Sequence, residues 1–257
     1  MSDPGIAIIL YTVREPAQED LRGTLKRVRE AGFEHVQWSG MPPMPAEEIR
    51  RALGEAGLVA IAGHCAVEPW EEDFEKELRF WQTVGAYDVA PGGMMNDCKE
   101  NLDAWQTGAS RLDALGARLS ERGFRLSYHN HAWEFEKFDG DDRYKLDLLY
   151  EETGPDRLFC ELDLAWVRHG GEDPVRYIRT YAGRCPILHA KDLTEKVDER
   201  GVPEFTPLGQ GILDWPAIFR AASESGVEWL VYEQDTHQSD PLQSARESYE
   251  FLKKSLS

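Results

Sequence analysis

Short apolar runs recur along the chain, and between them apolar residues fall three or four apart. The runs are GIAIILY at 5–11, EHVQW at 34–38, VAIAGH at 59–64, YDVAP at 87–91, RLSYH at 125–129, RLFCELD at 157–163, PILH at 186–189 and WLVYE at 229–233. They lack clean polar alternation, as expected of parallel strands buried on both faces. Helical spacing joins Leu21, Leu25 and Val28; Ile49 and Leu53; Phe74, Leu78 and Trp81; Leu102, Trp105, Ala109 and Leu112; Val175, Ile178 and Tyr181; and Ala245, Tyr249 and Leu252. Asp173 before Pro174, and Asp214 two residues before Pro216, read as helix starts. Gly32, Gly57, Gly85, Gly123, Gly154, Gly183 and Gly226 stand between a helical stretch and the next run, where a chain turning out of a helix needs positive φ. Eight such units in 257 residues predict an α/β fold, a (β/α)8 TIM barrel in one domain spanning 1–257. The longest connection, Thr194 to Leu213, reads as a loop over the barrel mouth.

In such a barrel the carboxyl ends of the strands meet at one face, so the residue that closes each run matters most. Gly32 leads to Trp38 and Gly57 to His64, while Gly123, Gly154, Gly183 and Gly226 lead to His129, Asp163, His189 and Glu233. Asp163, His189 and Glu233 together suit one divalent ion of the manganese, magnesium, cobalt or zinc type. Taken singly, each has a plainer role as a helix cap, a hydrogen-bonded core histidine or a partner for a surface arginine. Their shared register favours the metal. The fifth run continues as Tyr128-His129-Asn130-His131-Ala132-Trp133-Glu134-Phe135. Strand alternation sends His129 and His131 to the same side, and a hard ion prefers a carboxylate, so Glu134 is favoured over His129 as fourth ligand, the other facing substrate. Lys191 shares a side with His189 and offers a cation to a substrate oxygen. His64 is a second proton carrier or a packing residue, and Trp38, Trp133 and Trp166 either wall a sugar pocket or fill the core.

Composition narrows the partners. A formal net charge of −18 disfavours nucleic acid and anionic membranes, and makes a strongly phosphorylated substrate less suitable. The GGMMN run at 92–96 lacks the lysine and hydroxyl of a phosphate-cradling loop. No apolar stretch is long enough to span a membrane and MSDPG has no signal-peptide pattern, so a cytoplasmic location is expected. Four cysteines without CxxC spacing read as reduced thiols. Homo-oligomerisation is left open.

The segments YHNHAWEF, ELDLAW, LHAKDL, PLGQGILDW and VYEQD, in that order, resemble the xylose isomerase-like sugar phosphate isomerase/epimerase superfamily, in its branch near inosose dehydratase. The resemblance runs nearly the full chain. It implies a divalent metal held by Glu, Asp, His and Glu from four strand ends, the last three matching Asp163, His189 and Glu233. Many relatives carry a Glu where His129 stands here. The implied reaction acts on a hydroxy-carbonyl unit of a small sugar, keto-sugar or cyclitol. Glu134, Glu233, His129 or His131 would remove a proton to give a metal-stabilised enediolate. Proton return isomerises or epimerises, and loss of a β-hydroxyl dehydrates. A metal-dependent nuclease of the apurinic-endonuclease type shares the barrel but would want more metal ligands and a basic surface; a binding barrel without catalysis would not need this ligand set. Replacing Asp163 or Glu233 by Ala is expected to remove metal and activity while leaving the fold.

Overall fold

The computed structural model describes residues 3–256. Eight parallel strands close into a barrel: β1 (Gly5–Ile9), β2 (His35–Trp38), β3 (Val59–His64), β4 (Asp88–Ala90), β5 (Arg125–His129), β6 (Phe159–Asp163), β7 (Ile187–Ala190) and β10 (Trp229–Tyr232). Each pairs with its neighbour in sequence, and β10 returns to β1, with Gly5 opposite Trp229 and Ile8 opposite Tyr232. The predicted stripes become helices whose buried side chains face the strands: Leu25 and Val28 in Leu21–Glu30, Ile49 and Leu53 in Ala46–Ala56, and Trp105, Ala109 and Leu112 in Leu102–Ser120. Asp173 and Asp214 cap their helices, accepting from the N–H groups of Val175 and Ala217.

Two expectations need correction. Six of the seven junction glycines have positive φ, but Gly154 does not. Its N–H donates to Asp113 Oδ1 at 2.8 Å and its carbonyl accepts from the N–H groups of Arg157 and Leu158, so the turn is held by hydrogen bonds rather than by a left-handed residue. The connection from Thr194 to Leu213 is not a loop throughout. Much of it is an antiparallel hairpin, β8 (Asp192–Val197) with β9 (Pro203–Thr206), pairing Asp192 with Thr206 and Leu193 with Phe205. Asp192 pins this excursion: its carboxylate accepts from the N–H groups of Leu193, Gly209 and Gly211 and from Trp215 Nε1 at 2.7 Å. All four cysteines are free thiols. Among the described residues no helix is long and apolar enough to cross a membrane.

Strand parity decides what fills the barrel. Successive side chains on a strand alternate in side, so residues two apart share the interior. Ala7, Ile9, Ala62, Ile187 and Val231 form a small apolar cluster of their own. Two residues further along the same strands the chemistry changes, with His189 following Ile187 and Glu233 following Val231. The apolar layer thus lies beneath a polar one at the strand ends.

Candidate metal centre and active site

Four ligand atoms from four strand ends, on His129, Asp163, His189 and Glu233, lie within 4.8 Å of one another, and all four residues are buried. Strand register brings them together: Asp163 is paired directly with His189, and the Glu233 N–H donates to the Ala190 carbonyl. Asp163 also caps the helix Leu164–His169 through the Trp166 N–H, so the cap role and the site role coexist. A second group, His64, His129, Glu161 and His189, meets the same distance limit and shares two imidazoles with the first.

Glu134 stands apart from both groups. Its carboxylate is wholly buried, accepting from the Tyr128 hydroxyl at 2.9 Å and the His131 N–H at 2.8 Å. Glu134 lies in a short 3-10 turn, Trp133–Phe135, directly after the strand end and is consumed in tethering it; burial pushes its carboxyl up to about 7. His129, whose ring sits 4.5 Å from that of His189, belongs to the group of four, and Glu134 does not. His131 lies beyond the end of β5, yet its ring is 5.1 Å from His129 and 5.6 Å from Trp166. His64 reaches the cluster through Glu161, while Trp38 is only 6% exposed and belongs to the main core. Trp133 packs against Trp105, with Lys99 and Lys145 near its ring.

Lys191 is the centre of charge balance. Its buried ammonium lies 3.0 Å from Asp163, 3.1 Å from Glu233 and 3.0 Å from Asp235, with the rings of Phe205 and Trp166 at 5.0 and 5.4 Å. Burial opposes its charge, but those three carboxylates raise its pKa overall. Burial raises Asp163 to about 7, with Glu233 adding to the rise and Lys191 opposing it. Burial would raise Glu233 too, yet Lys191 and His189 hold it well below the usual carboxylate range. His189, despite burial, is lifted to about 10 by Glu161 and Glu233. Burial, reinforced by Lys191, lowers His131 to about 4 and keeps that ring neutral. Four carboxylates, Glu161, Asp163, Glu233 and Asp235, therefore face one ammonium and one imidazolium. That imbalance, with a mixed oxygen and nitrogen donor set, fits a divalent cation.

The profile of the xylose isomerase-like TIM barrel family matches residues 25–255. The chain belongs to that family. Members of it are enzymes, and this chain is one. It is 28% identical over 258 aligned positions to the inosose dehydratase of Clostridium perfringens, covering 87% of this chain and 86% of that protein. A sugar phosphate isomerase/epimerase from Parabacteroides distasonis superposes with TM-score 0.81 at 20% identity, over 98% of this chain and 94% of the other. A xylose isomerase-like TIM barrel protein from Mycobacterium smegmatis, solved in complex with magnesium, gives TM-score 0.69 at 18% identity, over 99% and 96%. Three residues at this site of the xylose isomerase-like barrel were not singled out by sequence. Glu161 and Asp235 are missed, although each lies two residues from a candidate ligand and so shares its side of the chain. Gln37, the one uncharged polar side chain in EHVQW, carried no signal that separates it from packing.

Proposed function

We propose that this chain is a divalent-metal-dependent isomerase or epimerase of a small, largely uncharged sugar, keto-sugar or cyclitol, working by proton transfer beside a carbonyl. The convergence of His129, Asp163, His189 and Glu233 carries the reading. These four would hold the ion, which, when bound, supplies Lewis-acid polarisation of a hydroxy-carbonyl pair. Lys191 keeps Asp163 and Glu233 together against their mutual repulsion and stands ready beside the substrate oxygens. The neutral His131 ring, with no partner at Nδ1, takes and returns the proton. Trp166, beside His131 and Lys191, offers an aromatic face to the apolar C–H face of the substrate. The lowered pKa of His131 leaves the ring unprotonated at neutral pH, so it starts as the base and, once protonated, returns the proton readily.

A second reading, dehydration of an inosose or keto-sugar, is favoured by the likeness to inosose dehydratase over most of both chains. Proton abstraction is common to both. The test is to incubate manganese-reconstituted enzyme with a panel of keto-sugars and inososes in deuterium oxide and follow the proton next to the carbonyl by NMR. Exchange that stops on chelation, with an isomer or epimer formed, supports the first reading. A conjugated enone moves the assignment to the dehydratase. Cleavage of abasic DNA with no sugar turnover would replace both by a nuclease.

A further inference from the structure

Glu161 is fully buried, lies on β6 two residues before Asp163, and stands outside the group of His129, Asp163, His189 and Glu233, belonging instead to the second group with His64. Its Oε1 is ringed by three imidazoles: His64 Nε2 at 2.5 Å, His189 Nε2 at 3.1 Å and His129 Nδ1 at 3.4 Å. The His129 approach lacks hydrogen-bond geometry and is a close polar contact. Its Oε2 accepts from Gln37 Nε2 at 2.7 Å, and the other end of that amide, Oε1, lies 2.8 Å from His189 Nε2.

These contacts leave little freedom in proton placement. An ionised carboxylate only accepts, so the Gln37 amide must turn its NH2 toward Glu161 and its oxygen toward His189. An amide oxygen also only accepts, so His189 must carry a proton on Nε2. A cation would then displace the other proton of the imidazolium, at Nδ1, which lies 2.7 Å from Glu233. For His129 the same carboxylate favours a proton on Nδ1, leaving Nε2 toward Asp163 at 4.0 Å. We infer that Glu161 is a positioning residue that sets the tautomers of His129 and His189, directly and through Gln37, so that both lone pairs face Asp163 and Glu233. The inference deepens the metal-site reading and rests on it. Partners of this kind fix ring orientation and raise ligand basicity.

Glu161→Gln tests it with almost no change of volume. The new amide places an NH2 at one of the two oxygen positions. At Oε2 it meets the Gln37 NH2 and forces that amide to flip, presenting a donor to His189 Nε2 and moving the His189 proton to Nδ1. At Oε1 it presents a donor to all three imidazoles. Either way one cation-facing lone pair is lost, that of His189 in the first orientation and that of His129 in the second. The expected result is a 10–100-fold weaker affinity for Mn2+ in calorimetry of chelator-treated protein, without added substrate. In magnesium-loaded wild type, ring 15N shifts should place the His189 proton on Nε2 and the His129 proton on Nδ1. Gln37→Leu, which cuts the relay to His189 and leaves Glu161 in place, should give a smaller loss and serves if Glu161→Gln does not fold. Affinity in Glu161→Gln within about twofold of wild type, with unchanged ring protons, overturns the inference. Two manganese ions bound per wild-type chain would also overturn it, by making Glu161 a ligand. If wild type binds no divalent ion, the metal reading fails by itself; the His129 proton on Nδ1 in metal-free protein, and either its move to Nε2 or a flip of the Gln37 amide in Glu161→Gln, still decide what Glu161 does.

Discussion

Asp163 serves two purposes that one substitution can separate. Its Oδ1 accepts from the Trp166 N–H at 3.0 Å and caps a helix, while its Oδ2 accepts from Lys191 at 3.0 Å. Asn caps a helix about as well as Asp, so Asp163→Asn keeps the cap and discards the charge. Asp163→Ala discards both and costs ~1 kcal/mol from the cap alone, a loss the fold should survive but one that confuses the readout. In metal-free protein, burial and Glu233 raise the Asp163 carboxyl from 3.8 to about 7. A carboxyl raised on folding contributes stability that is full below its unfolded value and is lost as pH rises through its folded value. The window here runs from about pH 4 to about pH 7. At ~1.4 kcal/mol per pH unit, Asp163→Asn can relieve at most about 4 kcal/mol above pH 7. Lys191 offsets part of that by losing one of its three carboxylates. Metal at a hundred times its Kd stabilises wild type by ~2.7 kcal/mol, roughly 5–10 °C in Tm for a chain of this size. The assay is thermal unfolding followed by circular dichroism from pH 5 to pH 8.5, on chelated protein with and without Mn2+. Asp163→Asn should lose less stability than wild type as pH rises and should gain nothing from the metal. A full metal-induced rise in Tm would refute the ligand role, and a decline with pH parallel to wild type would refute the assigned charge crowding.

His131→Asn should slow α-proton exchange by about 10²-fold or more while manganese affinity, read by calorimetry, stays near wild type. Asp192→Asn replaces an acceptor of several N–H groups with a group that is half donor, and should cost about 2 kcal/mol in urea unfolding and raise KM more than it lowers kcat as the hairpin loosens; unchanged stability would show that the hairpin does not depend on it. Arg184 donates to the carbonyls of Leu158, Tyr150 and Thr153 on the outside of the barrel. Arg184→Ala should therefore cost about 3 kcal/mol in the same assay with kcat unchanged, and a loss of metal binding would contradict its purely structural place.

The apolar runs, the helical stripes and the glycine junctions determined the barrel, because burial on both strand faces and on one helix face imposes its own periodicity on sequence. Asp163, His189 and Glu233 were legible for a related reason: a fixed register places the residue after each run at the mouth. Which of His129 and Glu134 joins the cluster was not legible. It turned on where a short 3-10 turn sends Glu134, and on the Tyr128 hydroxyl and His131 N–H that capture its carboxylate. Glu161 could be counted onto the inner face by alternation from Asp163, but its role depends on three imidazoles and Gln37 arriving from other strands. Lys191 could be given a side but not its three carboxylate partners. Sequence periodicity fixes which way a side chain points; charge balance and proton placement depend on what meets it across the barrel, and only closure of the eight strands decided that.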